Sequence, residues 1–321
     1  MKKRLCFVLI GILILTSAFV FLDRYGIGGK TVTISIPQGT GAAEIAQLLK
    51  ENRVVFFPKL FLQYAKDDAE HLRAGVHTFT RYMGYEKALQ ELRRDVPLEN
   101  SVTVTVPEGY EAREIGLLLE EAGVVTAEGF STACKEACGK FDFLPENGNI
   151  EGYLFPATYT FQAGADADSI VAAMVTAFSQ KMMTKENTDR VEALGMTFHE
   201  ALTLASIVER EAALDTERNM VASVFHNRLS AGMRLESCAT VQYILQERKD
   251  VLSIADTKIE SPYNTYLHMG LPPAPIASPG EESLSAALFP AETDYLFFVA
   301  DGTGGHTFSE TYTEHLEAIA R

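Results

Sequence analysis

The sequence predicts an α+β protein made of three parts: an N-terminal membrane-spanning helix, a small duplicated βα module and a larger mixed α+β domain. Three observations support this prediction. An uncharged run of residues lies near the N-terminus, one strand–turn–helix pattern occurs twice, and a long helical pattern with a buried face lies in the second half of the chain. The length of 321 residues is sufficient for an anchor and two or three domains.

The composition excludes several classes of function. The 43 acidic and 28 basic residues give a net charge of -15, whereas a protein that binds nucleic acid needs clustered Lys and Arg to neutralise phosphates. The four cysteines lack a CxxC spacing and the seven histidines lack an HExxH motif, so the sequence predicts no metal site and no cofactor. Any catalysis is therefore expected to depend on carboxylates.

The first predicted element is a single transmembrane helix over residues 5–22, preceded by a basic tail over residues 1–4. As a helix, this uncharged run spans about 27 Å, close to the thickness of the hydrocarbon core of a bilayer. A cleaved signal peptide is the alternative, but its apolar region is usually about 7 to 15 residues long. Cationic flanks resist translocation, so we expect a single-pass protein of the cell membrane with a cytoplasmic N-terminus and the rest of the chain extracytoplasmic.

The next predicted element is a repeated unit. Residues 32–55 align with residues 102–125 at a constant offset, and half of the aligned positions are identical, which indicates an internal duplication. In each copy, alternating β-branched residues predict a strand, Pro-x-Gly predicts a turn, and a stripe of Ile and Leu predicts the buried face of a helix. The predicted boundaries are a linker at 23–30, the first module at 31–97, the second copy and a connection at 98–149, and the main domain at 150–321.

Within the main domain, the pattern from Thr197 to Glu200 is typical of a capping box and predicts a helix over about 198–213. Its apolar residues recur at a helical period on one face, and Glu209 lies among them, whereas Glu211 is rotated by about 200° and is expected to be solvated or paired. These apolar residues are Phe198, Ala201, Leu202, Ala205, Val208 and Ala212.

A carboxylate on a buried helix face is costly unless it is hydrogen-bonded or protonated, and burial moves the pKa of a carboxyl group toward the range of a general acid. Glu209 is therefore the main catalytic candidate. The alternative is a structural glutamate paired with Arg210, Arg218 or Arg228. A second helix is predicted to begin at Asp215 or Thr216 and to end before Gly232.

Five ordered motifs in residues 150–310 resemble those of the MltG or YceG-like endolytic murein transglycosylases of bacteria. They are Glu151-Gly152-Tyr153-Leu154-Phe155-Pro156-Ala157-Thr158-Tyr159, Ala205-Ser206-Ile207-Val208-Glu209-Arg210-Glu211, Val224-Phe225-His226-Asn227-Arg228-Leu229, Tyr263-Asn264-Thr265-Tyr266 with Gly270-Leu271-Pro272-Pro273, and Gly304-Gly305-His306-Thr307-Phe308. The resemblance implies a membrane-anchored enzyme that cleaves within newly made peptidoglycan strands, with residues 150–321 as its catalytic domain. The first module, 31–97, resembles a LysM-like glycan-binding fold, although a simple spacer is an equal alternative.

The resemblance also implies a mechanism and a set of site residues. Glu209 would protonate the glycosidic oxygen between N-acetylmuramic acid and N-acetylglucosamine and then, as a base, accept the proton of the muramic C6 hydroxyl as that oxygen attacks C1. A 1,6-anhydro end results, elongation of the strand would be terminated, and a second carboxylate is not required. The residues implied to contact substrate or orient Glu209 are Glu151, Thr240, Tyr243, Tyr263, Asn264, Tyr266 and His306.

One departure from the family pattern concerns Cys238-Ala239-Thr240, which stands where relatives carry Asp-Pro-Thr. Cys238 is not expected to be a nucleophile, because no activating base lies near it in the sequence. Two alternatives to a transglycosylase stay open. One is a hydrolytic muramidase that uses Glu151 or Glu236 as the second carboxylate. The other is a non-catalytic wall-binding scaffold that recruits peptidoglycan synthases, which are also expected partners of the enzyme.

Overall fold

The computed structural model describes residues 23–321 except 27, 37–39, 67, 69–71, 95–100, 163 and 250. The predicted tail and transmembrane helix, residues 1–22, lie outside the described residues. The described residues divide into two compact units, one comprising the residues up to Val102 with Thr160–Gln162 and the other Thr103–Tyr159 with Gly164–Arg321. The small sheets and numerous helices confirm the predicted α+β class.

The first copy of the repeat lies in the smaller unit and has the predicted strand and helix. Strand β1 (Thr31–Ile36) pairs antiparallel with β2 (Gly75–Thr80), and the helices are α1 (Ala42–Glu51), α2 (Pro58–Tyr64) and α3 (Tyr85–Leu92). Side chains from both strands and all three helices form one buried core, because the repeated strand and helix alone cannot cover their apolar faces.

Asp23 lies in the segment predicted as a linker, but its side chain is buried in the smaller unit. Its two carboxylate oxygens accept hydrogen bonds from the backbone N–H groups of Phe56 and Phe57, at 2.6 and 2.9 Å. These N–H groups precede α2, so Asp23 satisfies donors that the start of a helix leaves unpaired.

The second copy also has the predicted strand and helix. It comprises β3 (Ser101–Thr105) and α4 (Ala112–Glu121), and α5 (Ala127–Ala137) follows. Strand β3 pairs with β4 (Thr158–Gln162), whereas the strand of the first copy pairs with β2. The duplicated strands therefore have different partners, which the repeat itself does not specify.

The rest of the larger unit is mainly helical. Its elements are α6 (Ala167–Met182), α7 (Lys185–Ala193), α8 (Phe198–Glu211), α9 (Arg218–Ser230), α10 (Cys238–Leu245), α11 (Glu281–Leu288), the antiparallel pair β5 (Phe297–Ala300) and β6 (His306–Ser309), and α12 (Tyr312–Ile319). Helix α8 is central to this unit and packs against α7, α9, α10 and α11.

The predicted capping box starts α8. Thr197 Oγ1 accepts the N–H of Glu200 at 3.2 Å, and Glu200 accepts the N–H of Thr197 at 2.7 Å. The expectation of a single buried face is wrong, because every residue from 201 to 208 is buried by the surrounding helices. The polar members are satisfied: Thr203 donates to the His199 carbonyl, and Ser206 donates to the Thr203 carbonyl.

Helix α9 begins at Arg218, after a short 3₁₀ turn over Asp215–Glu217, and Gly232 beyond its end has a φ of 64°. The polar residues of its Val224–Leu229 motif hold the C-terminal segment that contains β5 and β6. Asn227 donates to the carbonyls of Thr293 and Tyr295, and Arg228 Nε donates to that of Leu296. These contacts give the motif a structural role.

Among the residues that the structure describes, no single helix is both long and apolar enough to cross a membrane. One strongly bent pair, Lys185–Ala193 with Phe198–Glu211 at 97°, meets the length and composition criteria when the two helices are taken together.

Candidate active site

The last turn of α8 carries three consecutive charged residues, whose side chains contact the starts of four other helices. Glu209 Oε2 accepts the backbone N–H of Gly280 at 3.0 Å, and Glu209 Oε1 lies 3.8 Å from Arg218 Nη2. Only 7% of the Glu209 side chain is exposed. The carboxylate is therefore largely withdrawn from water, with one N–H donor and one guanidinium beside it.

Both partners of Glu209 lie at the starts of helices that pack on α8. Gly280 is the N-cap of α11, and Arg218 is the first residue of α9. The unpaired N–H groups and the dipole at a helix N-terminus favour an anion. Of the three arginines considered from sequence as partners of a structural glutamate, Arg218 is the one beside Glu209, and its Nη1 also binds Asp215 at 2.7 Å.

Arg210 points to another acidic group. Its Nη1 lies 3.6 Å from Glu111 Oε1, and both side chains are 6% exposed. Arg210 Nη1 is buried without a hydrogen-bond partner, and burial, followed by the charge of Arg248, lowers the pKa of the Arg210 guanidinium. Burial, followed by the charge of Glu114, raises the pKa of Glu111.

Glu211 was expected from the sequence to be either solvated or paired, and the structure shows that it is paired. Its Oε1 accepts the hydroxyl of Ser237 at 2.5 Å and the backbone N–H of Ala239 at 3.1 Å. These donors lie at the start of α10, so Glu211 fixes the helix that carries Thr240 and Tyr243 to the end of α8.

The turn of the second repeat copy reaches the same place. Gly109 N–H donates to the Ser278 carbonyl and Ser278 N–H donates to the Tyr110 carbonyl, both at 2.8 Å. Gly109 has a φ of 74°, and a Cβ added there would lie 3.5 Å from Glu209 Cγ. A Cβ added at Gly280 would overlap the Glu108 carboxylate. Glu108 therefore lies at the Glu209 site. The sequence pattern had indicated no second carboxylate there.

A cavity of about 290 Å³ contains several of the residues predicted to bind substrate. Glu151 and Glu111 line it together with the rings of Tyr243 and Tyr263, whose centroids are 5.0 Å apart. Glu151 Oε1 accepts the N–H of Ala112 at 2.9 Å, and burial raises the pKa of Glu151 to about 8 despite that hydrogen bond.

The loop after α10 is held by its own polar side chains. Asn264 has no exposed surface, and its amide donates to the carbonyls of Thr257 and Ile259 while accepting the N–H of Tyr266. Thr240 is equally buried and donates to the Ser237 carbonyl. Both side chains are placed to hold the loop, and their contact with substrate stays a prediction.

Cys238 has a close polar neighbour in that loop. Its Sγ lies 3.1 Å from the hydroxyl of Tyr266, and burial raises the pKa of the thiol above its ordinary value. A raised pKa leaves less thiolate at neutral pH, which opposes a nucleophilic role. Burial raises the pKa of Tyr266 as well, so this hydroxyl stays protonated near neutral pH.

The hydrogen bonds of His306 are with Glu217 and not with the residues of the cavity. Its Nδ1 is 2.8 Å from Glu217 Oε2, and its backbone N–H donates to Glu217 Oε1 at 3.1 Å. Glu217 immediately precedes Arg218, so His306 supports the start of α9, and a substrate contact for His306 stays a prediction.

The structure thus groups Glu151, Tyr243 and Tyr263 at one cavity, and the other carboxylate proposed as a second catalytic group, Glu236, pairs with Arg228 at 3.3 Å. The sequence did not indicate Glu108 or Gly280 at this site, and it did not single out Arg218 among the three candidate arginines. A signal for Glu108 existed, since the second copy has Glu108 at the position where the first has Gln38. Among the described residues, no group of three or more His, Cys, Asp or Glu side chains is arranged to hold a metal ion.

A comparison with protein-family models matches residues 34–321 to the YceG-like family. The chain belongs to the YceG-like family. This match covers most of the first copy of the repeat, the whole second copy and the domain that contains Glu209, and it confirms the resemblance inferred from the five motifs.

Curated relatives of this YceG-like chain carry one name. A Bacillus subtilis protein named endolytic murein transglycosylase is 33% identical over 311 residues, which cover 90% of this chain and 84% of that protein. A Streptococcus pneumoniae protein of the same name is 33% identical over 309 residues, covering 87% of this chain and 56% of that protein. The YceG-like chain therefore spans little more than half of the streptococcal relative.

A solved structure shares the fold. The crystal structure of a YceG-like protein from Listeria monocytogenes is 30% identical, with a TM-score of 0.62, over 90% of this chain and 99% of that protein.

Proposed function

We propose that this YceG-like chain is an endolytic lytic transglycosylase that cleaves the β-1,4 bond between N-acetylmuramic acid and N-acetylglucosamine in peptidoglycan and leaves a 1,6-anhydro end. The observation that carries the proposal is the placement of Glu209. The side chain of Glu209 is 7% exposed and its carboxylate lies beside Gly280 N–H and Arg218, in a chain whose curated relatives are named endolytic murein transglycosylases.

The proposed reaction needs one carboxyl group in two protonation states. Neutral Glu209 donates its proton to the glycosidic oxygen as the bond to C1 breaks, and the leaving sugar departs as an alcohol. The resulting carboxylate accepts the proton of the muramic C6 hydroxyl while O6 forms a bond to C1. No water is consumed, and Glu209 is protonated again at the end.

The contacts of Glu209 suit the second half of this cycle. Gly280 N–H, at 3.0 Å, and Arg218, at 3.8 Å, both stabilise the carboxylate form that acts as the base. The first half of the cycle needs the neutral acid and the second half needs the carboxylate, so Glu209 must donate a proton and then accept one.

The cavity beside α4 and α10 is proposed to contribute to glycan binding. Tyr243 and Tyr263 offer ring faces for pyranose stacking, and Glu151, neutral near pH 7 by its pKa of about 8, can donate as well as accept hydrogen bonds. Asn264 would act by holding the loop that carries Tyr263, and Thr240 by fixing the start of α10, which carries Tyr243.

The setting of the enzyme is also part of the proposal. Residues 5–22 would anchor the chain in the cell membrane, with the catalytic unit outside the cytoplasm. The first module would act as a LysM-like glycan contact, and peptidoglycan synthases, which make the nascent strands, would be its partners. Cleavage there would terminate strand elongation.

The test is the mass of the products released from purified peptidoglycan by the full-length protein in detergent. An anhydro end is lighter than a hydrolysed end by one water, so the mass separates a transglycosylase from a hydrolytic muramidase. We expect anhydro ends from the wild type and a loss of about 10²- to 10⁴-fold in Glu209→Gln. Glu211→Gln is the matched control two residues away, and it should retain cleavage. Hydrolysed ends, or full activity of Glu209→Gln, would contradict the proposal.

A further inference from the structure

A connecting segment, residues 273–280, follows helix α8 and ends at the Glu209 carboxylate. Three side chains of α8 contact this segment, in the same order along the helix and along the segment. The contacts are His199 Nε2 with the Pro273 carbonyl, Ser206 Oγ with the Ile276 N–H, and Glu209 Oε2 with the Gly280 N–H, each at 3.0 Å. The segment is therefore held along α8 in a defined register.

Ser206 makes the middle contact and has no exposed surface. Its hydroxyl donates to the Thr203 carbonyl at 2.7 Å while it accepts the N–H of Ile276, so its hydrogen-bonding position is fixed from both sides. Ser206 lies three residues before Glu209, and residues at this spacing are neighbours on one side of a helix. The hydroxyl of Ser206 thus holds the segment one helical turn away from the Glu209 carboxylate.

The prolines of the segment make its register important. Each of the two residues whose N–H binds α8 directly follows a proline, and proline has no N–H to donate. The two pairs are Pro275-Ile276 and Pro279-Gly280. A slip of the segment by one residue in that direction would place one proline opposite Ser206 and the other opposite Glu209. Both acceptors would then lose their donors together.

Other contacts hold the segment without binding the Ile276 N–H. Ser278 exchanges two backbone hydrogen bonds with the turn at 109–110, and a Cβ added at Gly152 would lie 2.5 Å from Pro275 Cβ. Ile276 is fully buried, so without the Ser206 hydroxyl its N–H would lack an acceptor in the interior. A buried unpaired N–H is unfavourable, and the segment would shift until that group reached water or another acceptor.

Such a shift would move the Gly280 N–H away from Glu209. That N–H binds one oxygen of the carboxylate and so fixes the orientation of the whole group. We propose that Ser206 is a positioning residue, which holds segment 273–280 in the register that brings the Gly280 N–H to Glu209. The inference rests on the function proposed above, because the orientation of Glu209 affects the rate only if Glu209 carries out the reaction.

The first experiment compares Ser206→Ala with the wild type in the formation of anhydro ends from soluble glycan strands by the full-length protein in detergent. We expect kcat to fall about 10- to 100-fold, because a carboxyl group displaced by about 1 Å loses its alignment with the reacting atoms. KM should stay within about twofold, since Ser206 is fully buried and contacts no substrate. An unchanged kcat, or a change in KM alone, overturns the inference.

Amide hydrogen exchange provides a readout that does not depend on activity. Resolved to single residues, exchange at Ile276 and Gly280 should be at least about fivefold faster in Ser206→Ala, whereas the amides of α9 should keep their wild-type rates. A general loss of stability would instead accelerate all of these amides together. Wild-type exchange at Gly280 overturns the inference even if kcat falls.

Ser283→Ala is the matched control. Ser283 lies in α11, has no exposed surface, and its hydroxyl has no hydrogen-bond partner among the described residues. This variant removes the same atom from an equally buried site, so its kcat and its exchange at Gly280 should match those of the wild type. A loss of kcat equal to that of Ser206→Ala would show that the effect is not specific to Ser206 and would overturn the inference.

A second variant keeps the test decisive if Ser206→Ala fails to fold by circular dichroism. Ser206→Cys fills the same space with a weak acceptor, so it should lower kcat and accelerate exchange at Gly280, and wild-type values for both overturn the inference. Failure of the proposed function is a separate result, because it appears as missing anhydro ends in the wild type or as full activity in Glu209→Gln. Anhydro ends that depend on Glu209, with wild-type kcat in Ser206→Ala, overturn the role of Ser206 alone.

Discussion

Glu151 makes the stability of the larger unit depend on pH in a direction opposite to that of a salt-bridged carboxylate. Its pKa is about 8 in the folded protein, because burial outweighs the Ala112 and Gly152 hydrogen bonds, and the ordinary value is 4.5. Between these two values the folded state binds a proton that the unfolded state has released. The free energy of unfolding therefore decreases as pH rises from about 4.5 to 8.

The magnitude follows from the difference between the two values. Each pH unit in that window is worth about 1.36 kcal/mol, so the full window is worth on the order of 5 kcal/mol. Glu151→Gln is uncharged at every pH, is close in shape to the neutral acid, and retains a carbonyl oxygen for Ala112 N–H. We expect the variant to match the wild type near pH 4.5 and to be more stable at pH 8.

The assay is thermal unfolding of wild type and variant at a series of pH values, followed by circular dichroism because the chain has no tryptophan. The melting temperatures should diverge as pH rises, with the variant on the order of 10 °C higher at pH 8. Glu146→Gln removes an exposed carboxylate from the same connection and should follow the wild type. A difference between Glu151→Gln and wild type that is constant from pH 5 to 8 would refute the reasoning.

Three other predictions concern different parts of the chain. Removing residues 1–22 should leave a folded protein that stays in the soluble fraction when the membranes are washed with salt. Removing residues 1–29 also deletes Asp23 and should lower the free energy of unfolding of the smaller unit by about 1–3 kcal/mol in urea titrations. Glu211→Ala leaves the Ser237 hydroxyl and the Ala239 N–H without their acceptor, so it should lower the free energy of unfolding by about 2–3 kcal/mol in the same urea titrations. A decrease below about 0.5 kcal/mol would contradict these hydrogen bonds at the start of α10. Cys238→Ala should form anhydro ends near the wild-type rate, because a thiol is a weak hydrogen-bonding group, and loss of turnover in a folded protein would indicate a chemical role for the thiol.

The sequence determined the local elements because their signals are local. The capping box at Thr197 and Glu200 fixed the start of α8, and the duplicated pattern fixed a strand and a helix in each copy. The position of Glu209 among apolar residues correctly indicated a withdrawn carboxylate. Five motifs in order were sufficient to indicate the family, which the match over residues 34–321 confirmed.

Only the tertiary structure decided which distant segments meet at Glu209. The periodicity of α8 describes one helix and contains no information on its neighbours, so it could not show that residues 201–208 are buried on all sides. Glu108 and Gly280 are far apart in the sequence, and each looks like an ordinary turn residue there. They become part of one site because two backbone hydrogen bonds join their turns and because Gly280 has no side chain to hold the Glu108 carboxylate away.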